Sequence, residues 1–527
     1  MSWDKGRFPA MRMEAHYGNR VVECFEERPT NLFTLLADAV ARDPVGEALV
    51  VEERRYSWSA LGAVVDRTAR ALSAQGLRRG DRVAMVMGNS EDFILALFAI
   101  FRIGAVVVPI SIRSSRPEVA YAINNCTARI LLHDSALSEL VPAKEDCAGC
   151  VAIPFPDLSG DGDLPPLSSL PKEDEVALIL HTSGTTGKPK GAMLTHLSLI
   201  HSALYYEATM QLTAEDRIIA SVPLNHVTGI AALIATPIRA GATLILMKAF
   251  DARSFLDLAE AERMTYTMMV PAMYNLCLLR PDFPERDLAT WRLAAYGGAP
   301  MPEPTIRGLA KAIPGLEFAN CYGATETIVA QLMTPPDFAY EKREYVGCPL
   351  PGTQAVIMDP FGCEVPAGTE GELWLRGPNV VLGYWNDPEA TARAFVGGFW
   401  RSGDIGCADA DGFVRVLDRA KDMINRGGLK IYSAELENVL TDHPAVIEAA
   451  AVAKHCPVLG ERVHAVVVVK SEVEDEALKA WCRERLSDYK VPESLDISTQ
   501  PLPRVPNGKI DKKLLRDRIA DESVKPN

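Results

Sequence analysis

The stretch that decides the fold is HTSGTTGKPKG (His181–Gly191), which directly follows the apolar run VALIL (Val176–Leu180). The run has the length of a buried strand, and the loop after it combines glycines, hydroxyl residues and lysines. Glycine lets a backbone approach an anion, N–H groups and hydroxyls donate hydrogen bonds, and lysine supplies positive charge. A strand that delivers such a loop predicts a phosphate cradle.

The cradle is not a Walker A loop. That motif requires Gly, four residues and then Gly-Lys-Ser/Thr. Thr182 stands where the first Gly should be, and Pro189 follows Lys188 where a hydroxyl residue is required. The stretch therefore predicts a phosphate loop of another kind.

Length and charge limit the class of protein. A chain of 527 residues is long enough for two or more domains, each with its own core. A net charge of −14 argues against a large electrostatic footprint on nucleic acid or anionic lipid. An anionic ligand must then be met by a few locally placed cations.

The cysteines and the first residues predict a cytoplasmic protein. Eleven cysteines, an odd number, are scattered from Cys24 to Cys482 without a framework, which suits a reducing compartment. The tight pair Cys147 and Cys150 has no second pair or His cluster to complete a zinc site, so we interpret both as ordinary loop thiols. The first twenty residues lack the apolar core of a signal peptide.

Two apolar stretches, Phe93–Ile110 and Val227–Met247, approach the length of a membrane span. Each carries an Arg and then a Gly near its middle, as FRIGAVVV and PIRAGATLIL. That pattern predicts a buried helix, a Gly stop and a core strand rather than a transmembrane helix.

Helix-like and strand-like segments alternate from about residue 30, which predicts an α/β fold of mostly parallel sheets covered by helices. From about residue 352 the segments AVIMDP, GELWLRG and FVRVLD indicate a small β-rich unit of short strands. The last hundred or so residues predict a separate small α+β domain, with VIEAAAVAK and HAVVVVK as strands and EALKAWCRERLSD as a helix.

Four further motifs follow the phosphate loop: AYGGAPM (295–301), NCYGATET (320–327), SGD (402–404) and RVPNGKIDKK (504–513). Each is weak alone, but their order and spacing are hard to attribute to chance. Together with the loop TSGTTGKPKG and the segment DRAKDMINRGG, they resemble the adenylate-forming superfamily of acyl-CoA synthetases, peptide-synthetase adenylation domains and luciferases. The resemblance covers about residue 30 to residue 516 and implies the α/β and α+β architecture predicted above.

The resemblance makes ATP the ligand of the phosphate loop. The loop residues that it assigns to the β- and γ-phosphates are Thr182, Ser183, Gly184, Thr185, Thr186, Gly187 and Lys190. It further implies that the Tyr322 ring stacks near adenine, that the Thr325 hydroxyl reaches the α-phosphate and that the Glu326 carboxylate helps to hold Mg²⁺. Mg²⁺ takes oxygen ligands and usually one or two carboxylates. The other residues that match the nucleotide site are Asn320, Gly323, Ala324, Gly298, Ala299 and Pro300.

Asp404 would accept hydrogen bonds from the ribose hydroxyls, with Arg419 beside it. Lys509 resembles the family's catalytic lysine. A carboxylate that attacks a phosphate brings two anions together, so the transition state needs cations such as Lys509 and Mg²⁺. His226 stands where the family carries an aromatic residue or His at the mouth of the acyl pocket, and we expect it to act there.

The resemblance divides the chain into an N-terminal AMP-binding domain at 1–420 and a mobile C-terminal domain at 421–527. Lys421 matches the hinge about which the C-terminal domain turns. One face of that domain presents Lys509 for adenylation, and the other presents the loop with Gly427 and Gly428 for thioester formation. Two departures from the family pattern, His181 and Asp418, remove no ligand.

The sequence thus predicts a carboxylic acid:CoA ligase that uses ATP, Mg²⁺ and coenzyme A and proceeds through acyl-AMP. Two alternatives stay open, namely a stand-alone adenylation enzyme that loads a carrier protein and a silent nucleotide-binding sensor. Peripheral membrane contact and oligomerisation stay open too. Small residues at Gly229, Ala294, Ala295 and Ala330 predict an acyl pocket with room for a medium- or long-chain fatty acid or an aryl acid. Tyr296 either caps this pocket or turns away.

Overall fold

The computed structural model describes residues 3–147, 149–155, 167, 169–182, 189–299, 301–328, 330–505 and 509–524, with side chains except at 5 and 521–524. Within these ranges the chain forms two large sheets, three smaller sheets and the helices that pack on them.

The first large sheet has six strands and is mostly parallel. Its strands, in spatial order, are Lys190–Thr195, Val176–Thr182, Val106–Pro109, Arg82–Val86, Ile130–Asp134 and Val151–Phe155. The edge pair formed by Lys190–Thr195 and Val176–Thr182 is antiparallel, and the other pairs are parallel. The predicted phosphate loop therefore connects two neighbouring strands at one edge of this sheet.

The second large sheet has nine strands with a parallel centre. In spatial order they are Cys348–Pro349, Leu332–Met333, Glu317–Tyr322, Leu293–Gly297, Tyr266–Met269, Arg217–Ala220, Thr243–Leu246, Glu47–Val51 and Arg54–Ser57. The outer pairs at both ends are antiparallel, and the six central strands run parallel.

Helices fill the space between the two sheets and cover their outer faces. The largest core joins one face of each sheet to the helices Glu91–Ile103 and His196–Met210 and to the helical run from Val227 to Ala240. The far face of the nine-stranded sheet packs on Ala252–Ala261 and Pro271–Leu278, and the far face of the six-stranded sheet on Arg116–Cys126. The layering is α-β-α-β-α, which confirms the predicted α/β class. The remaining helices are Leu32–Arg42, Trp58–Ala74, Glu303–Ala312, Pro388–Ala394, Ser433–Thr441, Asp475–Arg483 and Lys512–Val524.

Both apolar stretches form the predicted buried helix and core strand. Glu91–Ile103 ends at Gly104 (φ +79°) before the strand Val106–Pro109. The helical run from Val227, which has a π-helical turn at Ala231–Ala235, ends at Gly241 (φ +79°) before Thr243–Leu246. Among the described residues no helix is both long and apolar enough to cross a membrane.

Three small sheets complete the chain. Met11–His16 and Arg20–Phe25 form an antiparallel hairpin. The β-rich region has the strands Gln354–Met358, Gly371–Arg376, Phe395–Val396, Phe399–Ala408 and Val414–Arg419. The last sheet has the strands Ile424–Arg426, Leu429–Ile431, Val446–Cys456, Gly460–Val469 and Ser494–Ser498, as an α+β domain requires.

The chain divides into two compact units. The larger comprises 1–355, 374–401 and 410–414, and the smaller comprises 356–373, 402–409 and 415–527. Asp404, Arg419, Lys421 and Lys509 all belong to the smaller unit. The sequence-based boundary between 420 and 421 stays a prediction.

Candidate active site

The strand that leads into the phosphate loop lies beside the strand that leaves it. Thr182 and Lys190 are paired residues of the two strands, and the Thr182 hydroxyl donates to the Lys190 carbonyl at 3.4 Å. Two of the seven predicted loop residues are thus placed at the base of the loop. The other five, Ser183, Gly184, Thr185, Thr186 and Gly187, lie outside the described residues.

His181, the first departure from the family pattern, has partners for one ring nitrogen, while its buried Nδ1 has no hydrogen-bond partner among the residues that the structure describes. Its Nε2 lies 3.2 Å from the Asn125 Oδ1 and 3.9 Å from the Cys126 Sγ. Burial lowers the pKa of His181 to about 4, so the ring is neutral at pH 7. His181 therefore adds no charge beside the loop.

The motifs AYGGAPM and NCYGATET start at the same edge of the nine-stranded sheet. Leu293–Gly297 and Glu317–Tyr322 are parallel neighbours, and Tyr296 pairs with Asn320. Carboxyl ends of parallel strands are the usual ligand-binding edge of such sheets. Gly298 has φ +80°, which favours glycine, while Pro300 lies outside the described residues. The Asn320 Nδ2 donates to the Tyr345 carbonyl at 3.0 Å, so this side chain braces the backbone.

A short helical turn, Thr325–Thr327, presents the next two candidates, Thr325 and Glu326. The Thr327 hydroxyl accepts from the Ala324 N–H at 2.9 Å, and the Asn379 Nδ2 donates to the Thr327 carbonyl at 2.9 Å. Both Thr327 and Asn379 are fully buried. Thr327 and Asn379 therefore hold the backbone of this turn in place.

Glu326 is buried, and its carboxylate has a partner that the sequence did not reveal. The Tyr384 hydroxyl donates to the Glu326 Oε1 at 2.9 Å. Burial, and then the nearby Glu326 carboxylate, raise the pKa of Tyr384 far above its usual value, so the phenol keeps its proton and donates. The Lys190 ammonium lies 5.1 Å from the centre of the Tyr384 ring, within cation–π range.

The donors around Glu326 fit Mg²⁺. The ion is hard and takes oxygen ligands, usually with one or two protein carboxylates and several phosphate or water oxygens. Glu326 supplies a buried carboxylate, with the Thr325 hydroxyl beside it in the chain. A magnesium-nucleotide complex needs no larger set of protein ligands.

His226 begins the helical run that lies between the two sheets. Its Nδ1 accepts from the Thr228 N–H at 3.3 Å and lies 3.2 Å from the Thr228 hydroxyl, so the ring caps the helix. With Nδ1 as an acceptor, the proton of a neutral ring lies on Nε2. Capping alone accounts for a polar residue here, and the predicted role at the acyl pocket stays a prediction.

In the smaller unit, Asp404 and Arg419 form an ion pair. The Asp404 Oδ1 lies 3.1 Å from the Arg419 Nε, and the Asp404 side chain is 7% exposed against 48% for Arg419. The Ser402 hydroxyl accepts from the Asp404 N–H at 2.9 Å, and the Ala420 N–H donates to the Gly403 carbonyl at 2.8 Å. The SGD motif is thus tied to the segment around Arg419.

The remaining candidates of the smaller unit are Lys421, Gly427, Gly428 and Lys509. Burial lowers the pKa of Lys421 below its usual value. Gly427 (φ +60°) and Gly428 (φ +95°) form the two-residue loop of the hairpin Ile424–Ile431. Such loops need positive φ at both positions, so the turn accounts for both glycines without a ligand. Lys509 is exposed, and its carbonyl accepts from the Val505 N–H at 2.9 Å.

Asp418, the second departure, is buried at the start of a helix. Its carboxylate accepts from the N–H and, at 3.0 Å, from the hydroxyl of Ser433, the first residue of Ser433–Thr441. The Lys512 ammonium donates to the same hydroxyl at 2.7 Å and to Glu437 at 2.6 Å. The departure thus adds a helix-capping network.

The residues predicted to line the acyl pocket do not all lie in one core, and the pocket itself stays a prediction. Ala295 lies in the core between the two sheets, but Ala294 and Tyr296 lie in the core on the opposite sheet face, because side chains alternate along a strand. Tyr296 therefore turns away from Ala295. A Cβ at Gly229 would lie 2.5 Å from the Pro223 carbonyl oxygen, so this glycine allows a close approach of two backbone segments. Ala330 lies in the same core as Ala295.

A five-layer α/β unit that carries the predicted phosphate loop, followed by an α+β unit with the predicted catalytic lysine, is the architecture of adenylate-forming enzymes. The chain belongs to the family of AMP-binding enzymes. The family model "AMP-binding enzyme" matches residues 36–385, and "AMP-binding enzyme C-terminal domain" matches residues 435–509.

Relatives and solved structures agree with this assignment. A feruloyl-CoA synthase of Amycolatopsis is 38% identical over 88% of this chain and 94% of its own. A long-chain-fatty-acid–CoA ligase of Mycobacterium tuberculosis, FadD13, is 33% identical over 88% and 93%. The o-succinylbenzoate CoA synthetase of Bacillus subtilis in complex with its acyl-adenylate matches with a TM-score of 0.86 at 29% identity, covering 93% of this chain and 99% of that one.

The chain is therefore an AMP-forming acid–thiol ligase, a carboxylic acid:CoA ligase that uses ATP, Mg²⁺ and CoA. An enzyme of this kind needs no covalent nucleophile, because acyl-AMP is held non-covalently. A silent nucleotide sensor is no longer an alternative.

Proposed function

We propose that the acid is an arylpropenoic or related aryl acid with a hydroxyl on its ring. The observation that carries the proposal is the Tyr266 hydroxyl, which is fully buried and has no hydrogen-bond partner among the residues that the structure describes. An unpaired buried hydroxyl costs about 1–3 kcal/mol. A ligand hydroxyl that reached it would remove this cost.

Tyr266 has the right position for the deep end of an acyl pocket. It lies in the same core as Ala295 and pairs with Leu293, which is two residues before Ala295 on the neighbouring strand. Two residues along a strand span about 6.6 Å, close to the length of a phenyl ring with its substituent. The Tyr206 hydroxyl, which accepts from the Ala330 N–H at 3.2 Å, adds a second polar group to this core. Similarity to a feruloyl-CoA synthase supports the same choice.

We assign the nucleotide roles as the motifs suggest. The phosphate loop with Thr182 and Lys190 holds the β- and γ-phosphates, Tyr322 stacks near adenine, and Thr325 donates to the α-phosphate. Glu326 holds Mg²⁺, which when bound neutralises charge on the phosphates. Asp404, with Arg419, binds the ribose hydroxyls. Lys509 stabilises the charge that develops as the acid carboxylate attacks the α-phosphate and pyrophosphate leaves. The CoA thiol then attacks the carbonyl of acyl-AMP, and AMP leaves.

The substrate proposal is tested by comparing matched acids with the variant Tyr266→Phe. We expect kcat/KM for 4-hydroxycinnamate to exceed that for cinnamate, and Tyr266→Phe to remove roughly three- to tenfold of that preference, the value of one hydrogen bond. Tyr205→Phe is the matched control, since its buried hydroxyl donates to the Pro351 carbonyl at 2.8 Å. A parent enzyme that prefers saturated fatty acids to every aryl acid contradicts the proposal.

A medium- or long-chain fatty acid is the second candidate, which the similarity to a long-chain-fatty-acid–CoA ligase favours. The apolar character of the core around Ala295 and Ala330 suits it equally. A pyrophosphate-release screen over fatty and aryl acids separates the two candidates. Replacing CoA by a phosphopantetheinylated carrier protein in the same assay tests the remaining alternative acceptor.

We propose a cytoplasmic location for the enzyme. All eleven cysteines are free thiols in the structure, as a reducing compartment maintains them. Fractionation of the producing cells, followed by an assay for the CoA ligase, tests this proposal.

A further inference from the structure

The segment Asn379–Trp385 runs between the strand that leaves the phosphate loop and the turn that carries Glu326; we refer to it as the strap. On the loop side it pairs with Lys190–Thr195. The Leu382 N–H donates to the Met193 carbonyl at 3.2 Å, the Met193 N–H donates to the Gly383 carbonyl at 2.9 Å, and the Trp385 N–H donates to the Gly191 carbonyl at 2.7 Å. The strap therefore pairs, like a further strand, with Lys190–Thr195 at the edge of the six-stranded sheet.

On its other side the strap holds the Glu326 turn. The Val381 N–H donates to the Glu326 carbonyl at 2.9 Å, and the Asn379 side chain donates to the Thr327 carbonyl. The two catalytic motifs lie about 135 residues apart in the chain, but one segment is bonded to both. The strap thus sets the distance between the base of the phosphate loop and Glu326.

Arg20, from the N-terminal hairpin, fixes the strap itself. Its guanidinium donates to the carbonyls of Val380 at 3.1 Å, Val381 at 2.8 Å and Leu382 at 3.0 Å. Three carbonyls held by one planar cation leave the strap little freedom to slide. Arg20 thus fixes the backbone before Tyr384, and the bond from the Trp385 N–H to the Gly191 carbonyl fixes it after Tyr384.

Tyr384 connects the strap to the Glu326 carboxylate, the proposed metal ligand. The residue forms a β-bridge with Ala192 and is 7% exposed. Its ring lies within cation–π range of the Lys190 ammonium, and its hydroxyl donates to the Glu326 Oε1. We infer that Tyr384 is a positioning residue that orients Glu326 toward the divalent cation on the nucleotide phosphates. The inference rests on the proposed metal role of Glu326. Partners that orient a metal ligand are typically worth about 10- to 100-fold in metal affinity.

The test measures ATP binding by equilibrium dialysis at increasing Mg²⁺ concentrations, without acid so that no turnover occurs. We expect Tyr384→Phe to bind ATP like the parent in EDTA but to require roughly 10- to 100-fold more Mg²⁺ for tight binding. In pyrophosphate release, its apparent Mg²⁺ requirement should rise by the same factor, with kcat at saturating Mg²⁺ and KM for the acid close to the parent values. Tyr205→Phe, which also loses one buried hydroxyl, should behave as the parent does.

Glu326→Gln distinguishes the two ways in which this test can fail. If Glu326→Gln raises the Mg²⁺ requirement and Tyr384→Phe does not, the positioning role is wrong and the metal role of Glu326 stands. If neither variant raises it, the metal role itself is wrong. Should Tyr384→Phe not accumulate as folded protein, Tyr384→Leu, which keeps an apolar side chain and has no donor, replaces it, and a Mg²⁺ requirement equal to that of the parent overturns the inference.

Discussion

Asp418 shows how a departure from a family pattern finds its reason in the structure. Its carboxylate receives two hydrogen bonds from Ser433 at the first turn of a helix, where the helix dipole also favours negative charge. A glycine at this position would leave the Ser433 N–H without that acceptor. The residue is structural, although it is adjacent to Arg419 of the proposed ribose site.

We predict that Asp418→Ala destabilises the smaller unit by about 2 kcal/mol, because it removes a helix cap and leaves buried donors without an acceptor. Limited proteolysis should cut within residues 415–527 sooner in the variant than in the parent. Asp442→Ala, at the other end of the same helix, is the control and should resemble the parent. Equal proteolysis of Asp418→Ala and the parent would show that the cap contributes little.

At the residue scale, the sequence predicted motif residues but not their partners. Glu326 and Asp404 lie in short patterns whose chemistry is readable locally. Tyr384 and Tyr266 lie in apolar runs that are typical of core strands. Their importance depends on residues that are distant in sequence. The Tyr384 hydroxyl donates to the Glu326 carboxylate, and the Tyr266 hydroxyl has no partner among the described residues. Such long-range pairings leave no local signal in a single sequence.

At the scale of elements, the sequence predicted features that depend on neighbouring residues, such as the ends of helices. Glycines with positive φ end both apolar helices as predicted. A helix commonly ends at a residue in the left-handed conformation, which glycine adopts without strain. The sequence did not predict the sheet face of Ala294 or the backbone contacts of Gly229, because both depend on packing between elements.

The N-terminal hairpin should respond to acid. Hydrogen bonds from Arg28 lower the pKa of Glu14 from 4.5 to about 2, and His16 bonds both Glu14 and Asp174. Because the folded pKa is depressed, the stabilisation is present above pH 4.5 and is lost as the pH falls toward 2. We predict that Glu14→Gln lowers the free energy of unfolding at pH 7 by up to about 3 kcal/mol, and that the thermal midpoint falls with it.

The difference between Glu14→Gln and the parent should narrow steadily below pH 4.5. Thermal unfolding in buffers from pH 7 to pH 3 measures it. Glu26→Gln, an exposed residue just past the hairpin, serves as the control and should show little difference at any pH. If the difference in thermal midpoint between Glu14→Gln and the parent is unchanged at pH 3, the ion pair between Glu14 and Arg28 is not its source.

At the scale of the whole molecule, the two proposed half-reactions should separate by mutation. Lys509→Ala should slow formation of acyl-AMP by roughly 10²- to 10³-fold, because a donor to the transition state is lost. Given acyl-AMP and CoA, the same variant should form thioester near the parent rate. Single-turnover assays of each half-reaction measure both effects. Equal slowing of both would place Lys509 in a shared step or in folding.

Gly427→Asn is the complementary variant. Asn tolerates positive φ at the first position of a two-residue hairpin loop, so the turn should survive while a side chain is added to it. We expect normal adenylation and slower thiol attack if this loop borders the path of the CoA arm. If Gly427→Asn catalyses both half-reactions at the parent rates, Gly427 and Gly428 serve only to form the hairpin turn.

The order of strands in the nine-stranded sheet has a consequence for biosynthesis. Glu47–Val51 pairs with Thr243–Leu246, so its partner leaves the ribosome about 195 residues later. At about 5–20 residues per second, a nascent chain carries this apolar strand without Thr243–Leu246 for roughly 10–40 s. The strand next to it, Arg54–Ser57, has two arginines and forms a hairpin with it at once. Charged residues on an edge strand oppose pairing with other chains, so this early hairpin protects the growing chain from aggregation until the rest of the sheet has been made.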